Sequence, residues 1–113
     1  MAGAAVINTL RASGVTAFAS SGNNGSGTHM SSPACLSNVI SVGATDDNDV
    51  VAAFTDSNST LDIMAPGVGI VSDAIGNGVI SASGTSMAAP HAAGCAALLI
   101  ESDVATTPNQ IEN

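Results

Sequence analysis

Short apolar runs alternate along the chain with polar, glycine-rich connections. Residues 2–13 carry apolar side chains at helical spacing and are followed by Gly14, a pattern typical of an amphipathic helix with a glycine C-cap. Residues 15–20 and 39–44 are rich in β-branched side chains and predict two buried strands. Helix, tight turn and strand in this order favour an α/β fold with a mainly parallel sheet.

The second half of the chain contains a hairpin pattern followed by a long apolar run. Residues 68–72 and 79–83 are strand-like and are separated by a Gly-Asn-Gly turn, which predicts a β-hairpin. A central helix is predicted at about residues 86–102, because residues 87–100 contain no charge. A helix that is apolar on all sides is normally covered by protein on all sides. Thr106 or Thr107, followed by Pro108, predicts the N-cap of a final helix beginning at Asn109.

Two polar segments predict surface connections. Residues 23–32 form a glycine-rich loop, and residues 46–49 (DDND) form a turn. The aspartate cluster lacks the glycine and the distal glutamate of a calcium-binding loop, which favours a solvated turn.

Ser86 lies where the hairpin ends and the central helix begins. A helix N-terminus presents backbone N–H groups without intrahelical partners, together with the positive end of the helix dipole. A negative charge forming beside the Ser86 hydroxyl would be stabilised there. Ser86 is therefore a candidate nucleophile, and its own N–H is a candidate oxyanion donor.

The residues around Ser86 form a long and specific motif. Residues 84–91 read GTSMAAPH and are followed by Ala93-Gly94, a pattern that resembles the nucleophile motif of the subtilisin-like serine proteases. Residues 21–25 (SGNNG) resemble the oxyanion segment of that family. The resemblance continues, in the family's order, through residues 32–34 (SPA), 38–44 (NVISVGA) and 61–67 (LDIMAPG). It implies an α/β fold: part of the subtilisin-like three-layer architecture, with a mainly parallel sheet and a buried central helix, over a single segment, residues 1–113.

The resemblance also implies an activity. It implies a serine endopeptidase in which Ser86 is the nucleophile and Asn23 the side-chain oxyanion donor. Ser20, Ser21 and Gly22 would line one wall of the pocket for the residue preceding the scissile bond. The expected partner is a peptide or protein substrate, and no cofactor is needed for catalysis. The resemblance further implies an exported, extracellular protein, although the N-terminus shows no secretion signal.

The general base is not evident in this chain. A serine hydroxyl is normally activated by a histidine that a carboxylate orients. In the family those two residues precede the oxyanion asparagine, and neither motif occurs here. His91 lies five residues after Ser86, roughly 140° around the predicted helix, and the resemblance makes it a structural helix residue. His29 lies in the loop near Asn23, where the family places no base.

We therefore expect the C-terminal portion of a catalytic domain, inactive until an N-terminal half joins it as a partner. As part of a domain, the central helix should leave apolar surface exposed. One alternative is a non-catalytic binding or scaffold module that retains the segment. Another is an α/β-hydrolase, whose nucleophile elbow needs glycine where this chain has Ala88.

Asp62 is a candidate metal ligand. An acidic side chain between Leu61 and Ile63 is costly to bury without a partner. In relatives within the family, the aspartate at this place holds calcium together with backbone carbonyls that correspond to Pro33 and Cys35. The resemblance thus implies a structural Ca²⁺ site, and a plain hydrogen-bonded aspartate is the alternative.

Composition excludes some classes of partner. Nine acidic residues face a single basic one, Arg11, for a net charge of −8. Nucleic acid is not an expected partner, because almost nothing could neutralise its phosphates. A membrane is not expected either, since residues 87–100 fall short of the roughly 20 that a spanning helix needs. Cys35 and Cys95 are too few for a disulfide framework, and Cys95 is expected to be a buried free thiol.

Overall fold

The chain forms a small α/β unit with a parallel sheet and a separate hairpin. The computed structural model describes residues 2–113. Its elements in chain order are α1 (Ala2–Ala12), β1 (Phe18–Ser20), β2 (Ile40–Thr45), β3 (Ile63–Pro66), β4 (Ile70–Ala74), β5 (Gly78–Ala82), α2 (Thr85–Glu101) and α3 (Pro108–Glu112).

Strands β1, β2 and β3 form a three-stranded parallel sheet in that order, which confirms the predicted sheet type. The middle strand, β2, is buried along its whole length. β1 begins later than predicted because the N–H of Val15 still bonds the carbonyl of Leu10 at the end of α1. β3 was not predicted: its sequence lacks a β-branched run and ends in proline.

Helix α2 packs on one face of this sheet through very small side chains. Ala88 and Ala92 contact Val42, Ala44 and Ala65 in a buried cluster. Such a core gains its stability from close approach of the backbones and not from large rings. On the opposite face a second cluster joins α1 to the sheet; it contains Ala19, Ala34 and Val39, with Ile7 packed against it.

α2 is buried along one stripe only. Thr85, Ala88, Ala92 and Ala96 are its buried residues, whereas Leu98 is 67% and Ile100 46% exposed. The expectation of exposed apolar surface on this helix is confirmed. Among the described residues, no helix is long and apolar enough to cross a membrane.

Proline interrupts the hydrogen bonding of α2 near its start. Pro90 lies inside the helix and has no N–H group. The carbonyl that its N–H would have bonded, four residues earlier, is that of Ser86. The nucleophile candidate therefore lacks the usual helical donor to its carbonyl.

Strands β4 and β5 form the predicted antiparallel hairpin directly before α2. Both strands are largely exposed. Asn77 adopts a positive φ of 63° at the turn. The hairpin is tied at its base by a bond from the Gly69 N–H to Ser83 Oγ (2.9 Å) and one from the Gly84 N–H to the Gly67 carbonyl (2.8 Å).

Helix α3 begins one residue before the predicted start and is fastened to α1. Thr107 is its N-cap, in a capping box with Gln110. Arg11 of α1 donates to Asn109 Oδ1 (2.7 Å) and forms an ion pair with Glu112. The single basic residue of the chain thus connects the first helix to the last.

Two surface features were predicted with different success. The residues of the 46–49 turn lie at the surface, where Asp46 Oδ1 accepts the N–H groups of Asn48 (2.9 Å) and Val50 (3.0 Å). Cys35 and Cys95 are both free and exposed. The expected burial of Cys95 is wrong, because its position on α2 falls outside the buried stripe.

We expect overpacking of the α2 interface to destabilise the fold. Ala88→Leu places three extra carbons where the side chain is fully buried and should lower the free energy of unfolding by about 1–3 kcal/mol, as measured by urea denaturation. Ala93→Leu, on the exposed side of the same helix, is the matched control and should change it little. Equal effects of the two substitutions would contradict the packing described here.

Candidate active site

Ser86 occupies the second position of α2, with an exposed side chain. The N-cap residue, Gly84, has no side chain to bond the first N–H groups of the helix. Asn23, from the loop after β1, takes that place: its Oδ1 accepts the N–H of Thr85 (2.9 Å). The start of α2 is therefore capped by a distant residue.

The Asn23 amide is held in one orientation. Its Oδ1 also accepts the hydroxyl of Thr85 (2.9 Å), so both lone pairs of the oxygen are used. A Cβ placed on Gly84 would lie 3.6 Å from Asn23 Nδ2, which locates the amide nitrogen beside the turn that carries Ser86. Nδ2 has no hydrogen-bond partner within residues 2–113.

A second donor remains free at the same helix end. The N–H of Thr85 bonds Asn23, and that of Met87 bonds the Gly84 carbonyl (3.0 Å). The N–H of Ser86 bonds no group in the described part of the chain. Asn23 Nδ2 and Ser86 N are thus two unoccupied donors at the start of α2.

The loop that carries Asn23 is organised by a residue that sequence reasoning missed, Asp56. Its carboxylate is only 2% exposed. Oδ1 accepts the N–H groups of Asn24 (2.9 Å) and Ser26 (2.8 Å), and Oδ2 accepts the Asn24 side-chain amide (3.1 Å). The backbone bond from Ser26 lowers the pKa of Asp56; burial acts in the opposite direction, and the bonds from Asn24 lower the pKa further.

Gly22 must be glycine for this arrangement. Its φ is 120°, a conformation that side chains rarely allow, and an added Cβ would clash with the Asp56 carboxylate and lie 2.6 Å from Ser31 Oγ. Its N–H donates to Thr85 Oγ1 (3.2 Å). Gly22 therefore packs directly between the buried carboxylate and the start of α2.

Ser20 and Ser21, the other predicted wall residues, lie at the carboxyl end of β1. Ser20 is half-buried, whereas Ser21 is fully buried and its Oγ has no hydrogen-bond partner in the described range. The hydroxyl of Ser21 therefore faces the protein interior. Its backbone offers no surface to a ligand either, because the Ser21 N–H bonds the Val42 carbonyl (2.9 Å) and the Ser21 carbonyl accepts the N–H of Ser31 (2.8 Å).

The two histidines are engaged locally. His91 Nδ1 lies 2.8 Å from the Met87 carbonyl, one turn back on α2, and therefore carries the proton that it donates. His91 and Ser86 nevertheless line the same surface cavity of about 400 Å³. His29 Nδ1 bonds Thr28 Oγ1 (2.7 Å) in the exposed loop. Neither histidine bonds Ser86 within residues 2–113.

Asp62 is exposed and makes hydrogen bonds to Ser41. Its Oδ2 accepts both the N–H (2.8 Å) and the hydroxyl (2.8 Å) of Ser41. The described residues contain no group of three or more His, Cys, Asp or Glu side chains placed to hold a metal ion. A site built mainly from backbone carbonyls, as predicted from Asp62, Pro33 and Cys35, would not form such a group and stays a prediction.

Comparison with known proteins identifies the family of this chain. The model of the Subtilase family, Peptidase_S8, matches residues 2–113. The chain belongs to the subtilase family. It is 47% identical over 107 residues to alkaline elastase YaB of Bacillus sp. (strain YaB) and 43% identical over 107 residues to subtilisin Savinase of Lederbergia lenta. Each alignment covers 95% of this chain.

A solved protease structure confirms the fold. The structure of the prenylagaramide maturation protease PagA superposes with a TM-score of 0.89 at 31% identity and covers 96% of this chain. The chain spans 42% of that structure, 28% of alkaline elastase YaB and 39% of Savinase. The partial three-layer α/β fold expected from the sequence is thus confirmed, and the chain is much shorter than these subtilases.

The buried carboxylate makes the stability of this subtilase segment depend on pH. Because the pKa of Asp56 is lowered by folding, its contribution is complete above the unfolded pKa of about 3.9 and is lost as the pH falls through the folded value. Urea denaturation should therefore show a stability difference between wild type and Asp56→Asn that is constant near neutral pH and shrinks below about pH 4. A difference that stays constant at acidic pH would contradict an ionised, hydrogen-bonded Asp56.

Proposed function

We propose that this chain is the nucleophile- and oxyanion-bearing portion of a subtilase-type serine endopeptidase. One observation carries the proposal: Thr85 fixes the Asn23 oxygen and leaves two N–H donors, Asn23 Nδ2 and Ser86 N, open beside an exposed serine. A scaffold or binding module has no need for a serine with two open donors next to it. Membership of the subtilase family supports the same chemistry.

In the proposed reaction, Ser86 Oγ attacks the carbonyl carbon of the scissile peptide bond. The carbonyl oxygen becomes negatively charged, and Asn23 Nδ2 and Ser86 N donate hydrogen bonds to it. The Ser86 proton passes to a general base and then to the leaving amine, so that an acyl-enzyme forms. Water, activated by the same base, releases the second product and restores Ser86.

The base and its orienting carboxylate come from another portion of the peptidase domain. His91 lines the same cavity as Ser86, but it bonds the Met87 carbonyl on its own helix and makes no hydrogen bond to Ser86 in the described part of the chain. A site that keeps its oxyanion donors but lacks the base retains only residual catalysis. The isolated chain is therefore expected to be nearly inert.

The substrate is a peptide or protein that lies along the loop after β1. Ser20 and Gly22 form one wall for the side chain that precedes the scissile bond, and the fully buried Ser21 supports that wall from the interior. Glycine suits this wall because a substrate can approach it without meeting a Cβ. The family's usual export makes an extracellular substrate the appropriate class.

Labelling with a fluorophosphonate probe tests this function, because the probe reacts with activated serines. We expect almost no labelling of the isolated chain and strong labelling of Ser86 once the upstream portion of the peptidase domain is supplied. Ser86→Ala should abolish the signal. Asn23→Asp keeps the oxygen that bonds Thr85 but replaces the Nδ2 donor, and should slow labelling by about 10² to 10³-fold.

Asn77→Asp makes the same chemical change at the exposed hairpin turn and serves as the matched control, with labelling expected at the wild-type rate. Labelling of the isolated chain at the rate of the assembled enzyme would refute the proposed division of the site. Absence of labelling in both forms would instead support the non-catalytic alternative.

We also propose a structural calcium site at Asp62. Its Oδ2 is occupied by Ser41, whereas Oδ1 makes no hydrogen bond in the described part of the chain. The carbonyls of Pro33 and Cys35 come from a single turn, in which the Cys35 N–H bonds the Ser31 carbonyl and the Leu36 N–H bonds that of Pro33. Carboxylate and carbonyl oxygens are the ligands that calcium prefers.

Calorimetric melting with and without a chelator tests the calcium site. We expect the chelator to lower the melting temperature of the wild-type chain, and to leave Asp62→Asn unchanged because that variant lacks the anionic ligand. Asp46→Asn, which alters an exposed turn elsewhere, should respond to the chelator as the wild type does. An identical wild-type midpoint in both buffers would show that Asp62 is only a hydrogen-bonded aspartate.

A further inference from the structure

Asp56 is tied to residues on both sides of Asn23. Its backbone N–H bonds the Gly22 carbonyl (2.9 Å), and its Oδ1 accepts the N–H of Asn24 (2.9 Å). Asn23 is therefore enclosed between two peptide groups that bond the same aspartate. The bond from the Ser26 N–H to Oδ1 (2.8 Å) fixes the next part of the loop.

Two further backbone bonds connect the loop to the same segment, residues 54–57. The Gly25 N–H donates to the Phe54 carbonyl (2.8 Å), and the Ser57 N–H donates to the Ser26 carbonyl (2.7 Å). Of residues 54–57, Asp56 is the one whose side chain bonds the loop in the described part of the chain. A buried carboxylate with three donors is favourable only while all three are in place, so it selects one conformation of the loop.

We propose that Asp56 is a positioning residue of the oxyanion site: by holding Asn24 and Ser26, its carboxylate fixes the backbone from which Asn23 reaches Thr85 and presents Nδ2 beside Ser86. The proposal rests on the proposed role of Asn23. Asp56 does not touch the reacting atoms and acts through Asn23 alone.

Two substitutions separate the parts of this network. Asp56→Ala removes all three acceptor contacts. Asp56→Asn can keep one oxygen that accepts the N–H groups of Asn24 and Ser26. Its NH₂ group then faces the NH₂ group of the Asn24 side chain, and two donors cannot form a hydrogen bond with each other. Asp46→Ala is the matched control, because Asp46 also accepts two backbone N–H groups, but within its own turn and not from the loop that carries Asn23.

Asparagine deamidation reads out the loop without requiring any enzyme activity. In an Asn-Gly sequence the glycine nitrogen attacks the asparagine Cγ, ammonia leaves, and water opens the resulting succinimide to aspartate or isoaspartate. Asn24-Gly25 is protected here, because the Asn24 amide bonds Asp56 and the Gly25 nitrogen bonds Phe54. Asn77-Gly78 lies at an exposed turn and is the internal reference for an unprotected pair.

Mass spectrometry of the 113-residue chain, incubated at mildly alkaline pH, compares the two pairs. We expect Asn77 to convert and Asn24 to persist in the wild type and in Asp46→Ala. In Asp56→Ala the Asn24 rate should rise toward that of Asn77, and Asp56→Asn should give an intermediate rate. If Asn24 stays protected in Asp56→Ala, or converts as fast as Asn77 in the wild type, the positioning role is overturned.

Turnover in the assembled peptidase tests the link to Asn23. Asp56→Ala should lower kcat by about 10 to 10²-fold, less than the loss of the donor itself, with KM little changed. Asp56→Asn should restore most of that turnover. In an Asn23→Ala background, Asp56→Ala should cost nothing further, whereas an additive loss would show general destabilisation and overturn the proposal. If no activity is found in any form, the proposed function fails, and the deamidation result still decides whether Asp56 holds the loop.

Discussion

The hydrogen bonds between Thr85 and Asn23 are the interaction on which the candidate site depends. They join residues 62 positions apart in the chain, and they connect the carboxyl end of a parallel strand to the start of a helix. Ligands of α/β sheets bind at such strand ends. Because Gly84 has no side chain with which to cap α2, the helix begins correctly only where the loop delivers the Asn23 oxygen. One contact therefore sets the start of the helix and the orientation of the amide.

This contact requires the helix to lie very close to the sheet. The core between them consists of Val42 and four alanines, and there is no aromatic ring larger than phenylalanine in the chain. A Cβ on Gly67 would lie 2.6 Å from Ala44 Cβ and 2.8 Å from the Gly84 carbonyl. Because these residues are small, the turn before Ser86 lies close enough to the loop after β1 for Asn23 to bond Thr85. Packing and site geometry are thus two results of the same composition.

The sequence predicted the regular parts of the fold well, because period and turn residues report them directly. The pattern showed Gly14 after the end of α1, the fully buried β2 and the hairpin before α2. The placement of Ser86 and Asn23 at one helix end followed from their motifs. Asp56 was missed because it lies in a polar stretch, Thr55 to Thr60, where no periodicity separates a buried carboxylate from a surface one. The exposure of Cys95 was missed for the converse reason: an all-apolar helix hides which of its faces contacts protein.

Pro90 gives the first turn of α2 a degree of independence from the rest of the helix. Since it offers no N–H to the Ser86 carbonyl, that carbonyl is outside the helical ladder, and the loop holds the start of α2 through the bonds of Asn23 to Thr85. The bonds that set the position of the serine are therefore separate from the helical bonds of the exposed half of α2, which carries Leu98 and Ile100.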